Sequence, residues 1–530
     1  MADDVLVLGI DQSTQGTKAL LFDAKGEIID KETIPHRQII NDKGYVEHNL
    51  NEIAANVIEG VRRLVSRDLT RASRIAAVGL SVQRETVGAW QKSTLKPLYN
   101  AIVWQCARGA EFVSRDEVKS KADRVREITG LELSEFFSAA KITWLVDNVS
   151  EVLELAAKND LCIGNIDSFL ISRLTNGEAF ATEPSNASRT QLMDIHTLNW
   201  SNELCTLFKV PMNALPPIMD SDALFGMTDF DGVLERKIPI HAAIGDSQGA
   251  LFGQGCLKPG QTKTTYGTGS SIMMNAGDKV VSCKRGIVNS VGWRRSSKVT
   301  YVLEGNINYS AGVISWLKDD LKLISDPKET KDLAEHAHAA DKTYFVPAFS
   351  GLGAPYFTGS VRGTIVGMSR VTGKNEIVRA ALDSIAYQVN DVVGLIRKSA
   401  PIDVSELSVD GGATRNDYLM QFQADLLNLP LKVPKDAELS GMGAAYMAGI
   451  AATWHSLVQT GESDKFDIFI LSDSTSPDAW VAEEEAWYEF CSREQVFGHI
   501  FYRRRRNNTK RKSGNVADFC RRWGAQYKYM

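Results

Sequence analysis

The first part of the chain alternates short apolar runs with polar turns. Val5–Ile10 is an apolar run of strand length that ends at Asp11. Residues 12–17 form a cluster of polar and glycine positions, and Lys18–Phe22 then resumes the apolar pattern. Apolar runs of this length, bounded by turn residues, are typical of buried strands. The opening therefore predicts a strand, a tight turn and a returning strand.

Helical spacing follows, and then a further strand. Apolar residues recur every three or four positions within Glu52–Val65, at Ile53, Val57, Val61 and Leu64. Arg74–Val82 reads as a strand that ends in the polar segment 83–86. Alternating strands and helices predict an α/β sheet, and such sheets bind ligands at the carboxyl ends of their strands.

The opening pattern recurs in the second half of the chain. Gln261–Tyr266 reads as a strand, residues 267–271 as a Gly- and Ser-rich turn, and Ile272–Met274 as a second strand. Further on, Leu407–Val409 runs into the polar turn 410–416, and a helical pattern follows at Leu419, Phe422, Leu426 and Leu427. We therefore expect two α/β domains of related plan with a cleft between them.

Composition is that of a soluble protein. The 530 residues are 44 % hydrophobic and 24 % charged, which argues against a disordered chain. No apolar run approaches the roughly 20 residues of a membrane span. Acidic residues follow the first methionine, where a signal peptide would be basic, and seven cysteines are sparse. We expect a cytoplasmic protein that does not act at a membrane.

Charge is concentrated at the carboxyl end. The net charge is −5, but residues 496–530 hold ten Lys/Arg and one Asp, so the rest of the chain carries −14. A basic tail fits either a nucleic-acid or phosphate-binding arm or a solvated terminus. We favour a poorly ordered terminus without a nucleic-acid partner. The expected domains are therefore 1–253, 254–495 and this basic tail.

Three turns suit a nucleotide triphosphate. Phosphate oxygens need backbone N–H donors and hydroxyls without bulky side chains. Residues 13–17 followed by Lys18 offer such donors and one cation, and residues 267–270 and 410–413 offer two further turns. None of them is a Walker P-loop. Each turn is weak evidence alone, but three at strand ends favour a phosphate site.

Two aspartates stand at strand ends beside these turns. Asp11 follows the first apolar run, and Mg²⁺ bound to phosphates is commonly held by one or two such carboxylates. Asp246 follows the short apolar run Ile240–Ile244, where a carboxylate can accept a proton from an attacking hydroxyl. A plain turn cap is the alternative for either residue.

Longer motifs resemble a known family. Residues 136–145 (FFSAAKITWL) match one signature of the FGGY carbohydrate and polyol kinases, and the stretch from Gly363 to Asp383 matches the other. Within that family the stretches 83–86, 99–106, 185–190 and 347–356 are most similar to glycerol kinases. The likeness runs from about residue 5 to about residue 490. The resemblance implies two actin-like, ribonuclease H-like ATPase domains with an interdomain cleft.

The resemblance also implies roles. Asp246 matches the catalytic base and Asp11 the residue near Mg²⁺. ATP contacts are implied for Thr14, Gln15, Lys18, Thr268, Gly412 and Asn416. The polyol is implied to contact Arg84, Glu85 and Trp104, together with Asp246. ATP, Mg²⁺ and a small polyol are thus the expected ligands, and a homodimer or homotetramer is compatible with the family.

Three positions depart from the glycerol kinase pattern. Phe136 stands where a tyrosine hydroxyl is usual, Ser247 where a glutamine is usual, and Ser271 where a phenylalanine packs on the glycerol carbons. A Phe-to-Ser change opens more than a water's share of volume, roughly 30 Å³. A longer polyol can then fill the space, and the pattern is similar to erythritol kinase. Erythritol is therefore the expected substrate.

Two alternatives stay open. The first is a glycerol kinase whose drifted pocket positions are compensated by their neighbours. The second is an actin- or Hsp70-like ATPase without a small acceptor, which would hydrolyse ATP in the absence of any polyol.

Overall fold

Two six-stranded sheets form the fold of the computed structural model, which describes residues 5–283, 285–356, 358, 360–459, 468–472 and 500–504. Strands up to Gly245 are β1 (Leu6–Gln12), β2 (Gly16–Phe22), β3 (Ile28–Pro35), β4 (Ile39–Ile40), β5 (Val46–His48), β6 (Ile75–Val82), β7 (Val87–Gln91), β8 (Ala101–Ile102), β9 (Leu161–Asn165), β10 (Met193–Asp194), β11 (Asn199–Trp200), β12 (Gly226–Thr228) and β13 (Ile238–Gly245). The later strands are β14 (Gln261–Tyr266), β15 (Ser270–Gly277), β16 (Val288–Arg295), β17 (Lys298–Ile307), β18 (Tyr344–Val346), β19 (Thr364–Val366), β20 (Glu406–Gly411), β21 (Leu431–Lys432), β22 (Ile468–Ser472) and β23 (Ile500–Arg504).

Helices alternate with these strands. Those of the first half are α1 (Leu50–Ser66), α2 (Thr70–Arg74), α3 (Ala110–Val113), α4 (Asp116–Lys119), α5 (Ala122–Thr129), α6 (Ser138–Asn148), α7 (Ser150–Ala157), α8 (Ile166–Leu174), α9 (Pro184–Ala187), α10 (Asn202–Leu207) and α11 (Asp246–Gly253). Those of the second half are α12 (Gly312–Asp319), α13 (Glu329–Glu335), α14 (Lys374–Ser399), α15 (Asp417–Leu427) and α16 (Leu439–Gln459). No helix in the described part of the chain is long and apolar enough to cross a membrane.

The two large sheets repeat one plan. The first has the order β12-β13-β6-β1-β2-β3, and the second has the order β16-β17-β15-β14-β20-β21. In each sheet, three successive strands pair antiparallel, and two further strands are added in parallel next to the strand that comes first in sequence, β1 or β14. The order is β3-β2-β1-β6-β13 in one sheet and β17-β15-β14-β20-β21 in the other. The repeated pattern of the sequence is therefore a repeated topology.

Amphipathic helices cover the sheets. Along α1 the predicted apolar positions are all buried, and the Asn49 side chain caps the helix by accepting from the N–H groups of Asn51 and Glu52. Helix α14 does the same for the second sheet, with its apolar residues in one core with those of β15, β17 and β20. A smaller antiparallel sheet, β4-β5-β8-β7-β9, is inserted in the first half.

Helix α16 lies against the first sheet although it follows the second along the chain. A Cβ atom added to Gly79 of β6 would lie 2.1 Å from the Ala444 carbonyl oxygen, and one added to Gly253 of α11 would lie 2.3 Å from the Leu439 carbonyl oxygen. Only glycine permits backbones to approach this closely. The predicted boundary at 253/254 therefore separates the strands of the two sheets along the sequence. The start of α16, although it lies after that boundary, packs against the first sheet.

The predicted carboxyl-terminal tail needs one correction. Residues Ile500–Arg504 form strand β23, which pairs in parallel with β22, within a second compact unit that begins at Ala452. The run Ile500-Phe501-Tyr502 is rich in aromatic and β-branched residues, which favour strands. The rest of the tail, with most of its basic residues, lies outside the described residues.

Candidate active site

The carboxyl edge of the first sheet carries both predicted aspartates. Strands β1, β6 and β13 are parallel, so they end at the same edge. Asp11 lies at the end of β1, buried, and accepts a hydrogen bond of 3.0 Å from Ser81 Oγ. Asp246 is the first residue of α11, directly after β13, and its side chain is 34 % exposed. Burial, and in smaller part the charge of Asp246, raise the pKa of Asp11 to about 6 although Lys18 lowers it.

The turn between β1 and β2 carries the first predicted phosphate contacts. Thr14 Oγ1 accepts a 2.9 Å hydrogen bond from Trp104 Nε1, which fixes the threonine relative to the indole. Gln15 is exposed at the tip of the turn. Lys18 pairs across the strands with Asp11 and donates to Glu438 Oε2 at 2.5 Å. The cation predicted for phosphates is thus held by a carboxylate of the second half.

Two aromatic residues form a wall beside this turn. The ring of Phe136 lies 5.5 Å from that of Trp104, at 63°. Below them, the Lys141 ammonium donates to the carbonyl oxygens of Glu135 and Phe136, at 2.7 and 2.5 Å, and its side chain is fully buried. Burial lowers the pKa of Lys141 to about 7. The loop that carries Phe136 is therefore anchored from inside the protein.

Arg84 follows the end of β6 and contacts the predicted base. Its guanidinium makes a two-point hydrogen bond to Glu304 at 2.8 and 2.9 Å, and its Nε lies 3.3 Å from Asp246 Oδ1. Gly245 permits this approach, since an added Cβ would lie 2.9 Å from the Arg84 side chain. The N–H group of Ser247 donates to Asp246 Oδ1 at 2.6 Å. Asp246 is thus oriented by one cation and one backbone donor.

Glu85 is buried in an uncommon conformation. Its φ is +61°, and the N–H of Thr86 donates to the Arg84 carbonyl oxygen at 2.7 Å, which makes Glu85 the centre of a three-residue turn. Backbone strain of this kind persists only where the surroundings enforce it, and it clusters at functional sites. The Arg189 guanidinium donates through Nε to Glu85 Oε1.

One face of the second sheet is polar where it meets this cluster. Register places Thr265, Ser271 and Asn306 side by side across β14, β15 and β17. Ser271 Oγ lies 3.4 Å from Glu304 Oε1, which is two residues from Asn306 on the same face. Cross-strand neighbours on one face have their Cβ atoms about 5 Å apart. Ser271 therefore stands in a row of hydrogen-bonding groups, beside the ion pair of Arg84.

The remaining residues predicted to contact the nucleotide lie at two turns of the second sheet. Thr268 is exposed between β14 and β15, and its carbonyl oxygen accepts from the N–H groups of Ser310 and Gly312 at the start of α12. Gly412 is exposed just after β20. Asn416 caps α15: its side chain accepts from Leu419 N–H and donates to Thr330 Oγ1. The structure thus gives Asn416 a structural task, and its predicted adenosine contact stays a prediction.

Family models identify the chain. Residues 6–253 match the amino-terminal domain of the FGGY family of carbohydrate kinases, and residues 262–452 match its carboxy-terminal domain. The chain belongs to the FGGY family of carbohydrate kinases. The resemblance drawn from the sequence motifs is confirmed, and so is the predicted two-domain, actin-like fold.

Several similar proteins are named glycerol kinases. Glycerol kinase 1 of Thermotoga maritima is 45 % identical over 442 residues, which cover 83 % of this chain and 90 % of the relative. Glycerol kinase of Desulforamulus reducens is 42 % identical over 462 residues, 87 % of this chain and 92 % of the relative. The structure of Plasmodium falciparum glycerol kinase with ADP has a TM-score of 0.80 at 36 % identity, covering 86 % and 92 % of the two chains.

More distant members share the fold. Xylulose kinase of Lactobacillus acidophilus has a TM-score of 0.76 at 21 % identity, covering 85 % of this chain and 90 % of that one. FGGY kinases use ATP with Mg²⁺, so the predicted cofactors are confirmed.

The residues at the sheet edge fit Mg²⁺. This ion keeps several waters and is usually bound through one or two carboxylates together with substrate phosphates. Asp11 provides a buried carboxylate with one side-chain donor, Ser81, and Asp246 lies near enough to raise its pKa. The described residues contain no group of three acidic, His or Cys side chains placed to hold a metal ion, but Mg²⁺ bound to phosphates does not require such a group. When bound, Mg²⁺ would offset the charge of the phosphates near Asp11.

Three charged residues of the site were not given roles from the sequence. Arg189 lies in the stretch 185–190, which carried the family resemblance without an assigned function. Glu304 and Lys263 are both buried within strands of the second sheet, and both interact electrostatically with Arg84. A single charge within an apolar run, such as Tyr301-Val302-Leu303-Glu304, was the available signal.

Proposed function

We propose that this FGGY kinase transfers the γ-phosphoryl group of ATP to a terminal hydroxyl of glycerol. The observation that carries the proposal is the placement of Asp246: partly exposed at the carboxyl edge of the first sheet, 3.3 Å from Arg84, at the start of α11. Relatives of 41–45 % identity that are named glycerol kinases support glycerol as the substrate.

The chemistry requires one base. The hydroxyl oxygen attacks the γ-phosphorus, the bond from that phosphorus to the bridging oxygen of ADP breaks, and the hydroxyl proton passes to Asp246. A carboxylate suits this task, and Arg84 Nε, 3.3 Å from Asp246 Oδ1, holds that carboxylate in place. The Thr14 and Thr268 turns would hold the phosphates through backbone N–H groups and hydroxyls.

Polyol recognition would use both charge and an aromatic wall. Arg84 and Glu85 offer a donor and an acceptor to adjacent hydroxyls, and the Trp104 and Phe136 rings cover the carbons. Both charged groups are already oriented, Arg84 by Glu304 and Glu85 by Arg189. Preoriented groups reduce the entropy lost on binding.

Erythritol is the second candidate, for one reason. Ser271 places a small hydroxyl next to Glu304 where glycerol kinases have a phenylalanine, and Ser247 adds another small polar side chain beside the base. An extra CHOH unit would find partners there, and polar groups left unmatched by a shorter substrate would cost affinity. None of the relatives reported above is named for erythritol.

A coupled ADP-release assay tests the proposal. We expect wild-type turnover to require a polyol, with kcat/KM for glycerol above that for erythritol. ATP hydrolysis that is independent of any polyol would instead favour the actin-like ATPase. A higher kcat/KM for erythritol would reverse the order of the two candidates, and in that case Ser271→Phe should shift the ratio toward glycerol.

Asp246→Asn tests the base. The variant should lower kcat by about 10²–10⁴ while polyol binding is retained. Asp231→Asn is a matched control, because Asp231 also pairs with an arginine, Arg173, and is 33 % exposed. Near-normal kcat in Asp246→Asn would remove this residue from the base role.

A further inference from the structure

One buried carboxylate of the second sheet contacts two arginines of the first half of the chain. Glu304, on β17, is fully buried. It receives two hydrogen bonds from Arg84, at 2.8 and 2.9 Å, and Arg189 Nη1 lies 3.0 Å from its Oε2 as an ion pair without hydrogen-bond geometry. Burial alone would raise the pKa of Glu304, but Arg189 and Arg84 hold it well below its usual range. Glu304 is therefore charged in the folded protein.

Each arginine also forms an ion pair with a carboxylate of the proposed active site. Arg84 leads to Asp246 at 3.3 Å, and Arg189 leads to Glu85. The contacts thus form one continuous series of ion pairs, from Asp246 through Arg84, Glu304 and Arg189 to Glu85. Each of its ends belongs to the first half of the sequence, while its centre belongs to the second sheet.

Opposite charges contact each other in this cluster. Arg84 and Arg189 contact the carboxylates Glu85, Asp246 and Glu304, and Lys263 interacts with Asp410 and, more weakly, with Glu304 and Asp246. Removing one partner from a buried ion pair leaves an uncompensated charge, which is strongly unfavourable. Moving β17 away from Arg84 and Arg189 would leave Glu304 and both arginines buried without their partners. The position of β17 and the positions of the two arginines therefore depend on each other.

Glu304 is also connected to a nucleotide turn. Strand β17 pairs with β15 from Ser270 to Gly277, and β15 begins directly after the Thr268 turn. The Thr268 carbonyl oxygen in turn accepts from Ser310 N–H, three residues after β17 ends. Backbone pairing therefore makes Glu304 and the Thr268 turn parts of one rigid element.

We propose that Glu304 is a positioning residue that couples polyol binding to nucleotide binding. A polyol held by Arg84 and Glu85 favours the arrangement in which both arginines contact Glu304, and that arrangement places the Thr268 turn for the nucleotide. Linkage requires the converse, so that nucleotide tightens polyol binding by the same factor. The inference rests on the proposed function of Arg84, Glu85 and Asp246.

Equilibrium binding measures this coupling. The dissociation constant of a non-hydrolysable ATP analogue with Mg²⁺ is determined by calorimetry without and with saturating polyol, using the better of glycerol and erythritol. In the wild type we expect the polyol to tighten nucleotide binding about 5- to 150-fold, the usual range for coupled sites. In Glu304→Gln the factor should fall to within two-fold of one, with nucleotide affinity in the absence of polyol little changed.

Glu47→Gln is the matched control. Glu47 is buried and ion-paired with Arg108 at 2.6 Å, but all its partners lie in the first half of the chain. The same change of charge there should alter stability and leave the coupling factor as in the wild type. Glu304→Asp keeps the charge, so it should restore part of the coupling and also serves if Glu304→Gln does not fold.

The outcomes separate two failures. A wild-type coupling factor of one, or an unreduced factor in folded Glu304→Gln, overturns the role of Glu304. So does a factor for Glu304→Asp that equals the wild-type value when Glu304→Gln does not fold. Absence of polyol phosphorylation by the wild type would instead overturn the proposed function. A kinase that turns over polyol normally but shows no coupling loses only this inference.

Discussion

A single added methyl group should separate α11, the helix that begins at Asp246, from helix α16. In Gly443→Ala the new Cβ would lie 2.0 Å from the carbonyl oxygen of Gly249 and 3.0 Å from the N atom of Gly253. Both atoms belong to the backbone of α11, so no side chain can rotate away. Ordinary contact begins near 3.4 Å, and the two helices must therefore move apart by about 1.4 Å.

The net effect on stability combines two terms of opposite sign. Alanine is a better helix former than glycine by about 1 kcal/mol. Overpacking in a rigid contact costs about 1–3 kcal/mol and sometimes more, and a contact of backbone with backbone belongs to the upper end. We expect a net loss of roughly 1–2 kcal/mol and a lower Tm. Because α11 begins at Asp246, kcat should fall as well.

Gly394→Ala is the matched control for this change. Gly394 also lies inside a helix, α14, but an added Cβ would meet nothing within 4 Å. Only the favourable helix term remains, so Tm should stay equal or rise. Differential scanning fluorimetry and initial-rate kinetics on both variants measure the difference. A Gly443→Ala protein as stable as Gly394→Ala would refute the argument.

Three further predictions concern the walls and supports of the site. Burial, and then His36, lower the pKa of His48 to about 4, so the unfolded chain binds more protons and the folded protein loses stability as pH falls from 6.5 toward 4. In thermal-shift scans, the Tm of His48→Gln should fall less over this pH range than the Tm of the wild type. The same dependence of Tm on pH in both proteins would contradict this. Lys141→Met removes the donor to the Phe136 loop and should raise KM for the polyol about ten-fold while KM for ATP changes little, whereas equal rises would indicate a general defect. Trp104→Phe keeps an aromatic ring, although a smaller one, and loses the hydrogen bond to Thr14, so kcat/KM for ATP should fall about five-fold; a fall confined to the polyol would disprove that reasoning.

Local pattern predicted the strands and their polar ends well. The run before Asp246 is β13, and the pattern of Glu52–Val65 lies within α1. Asp11 was expected just past its strand and lies at its end within β1. These features depend on spacing along the chain, because alternation between apolar and polar positions reports which face is buried.

Features that depend on register between distant strands were not predictable. Glu304 contacts Arg84 across 220 positions of sequence, and only the pairing of β17 with β15 brings it there. Likewise, the cap that Asn416 forms on α15 was not predicted, and the adenosine contact that the family resemblance implies for this residue stays a prediction. The close approach of α16 to α11 needs glycine on both helices. Glycine is also common in loops, so its presence in the sequence does not by itself predict a contact between helices.

The choice between glycerol and erythritol depends on the same strand register. Ser271 does not stand alone where an aromatic side chain is usual: it pairs across the strands with Asn306 and lies 3.4 Å from Glu304. A phenylalanine at this position would cover the ion pair of Glu304 and Arg84 with carbon, whereas serine leaves a hydroxyl beside it. Serine in place of phenylalanine therefore affects Glu304, which orients the arginine proposed to bind the polyol, as well as the volume of the pocket. A kinase that still prefers glycerol must satisfy these polar groups with water, and erythritol can compete only by replacing that water with its additional hydroxyl.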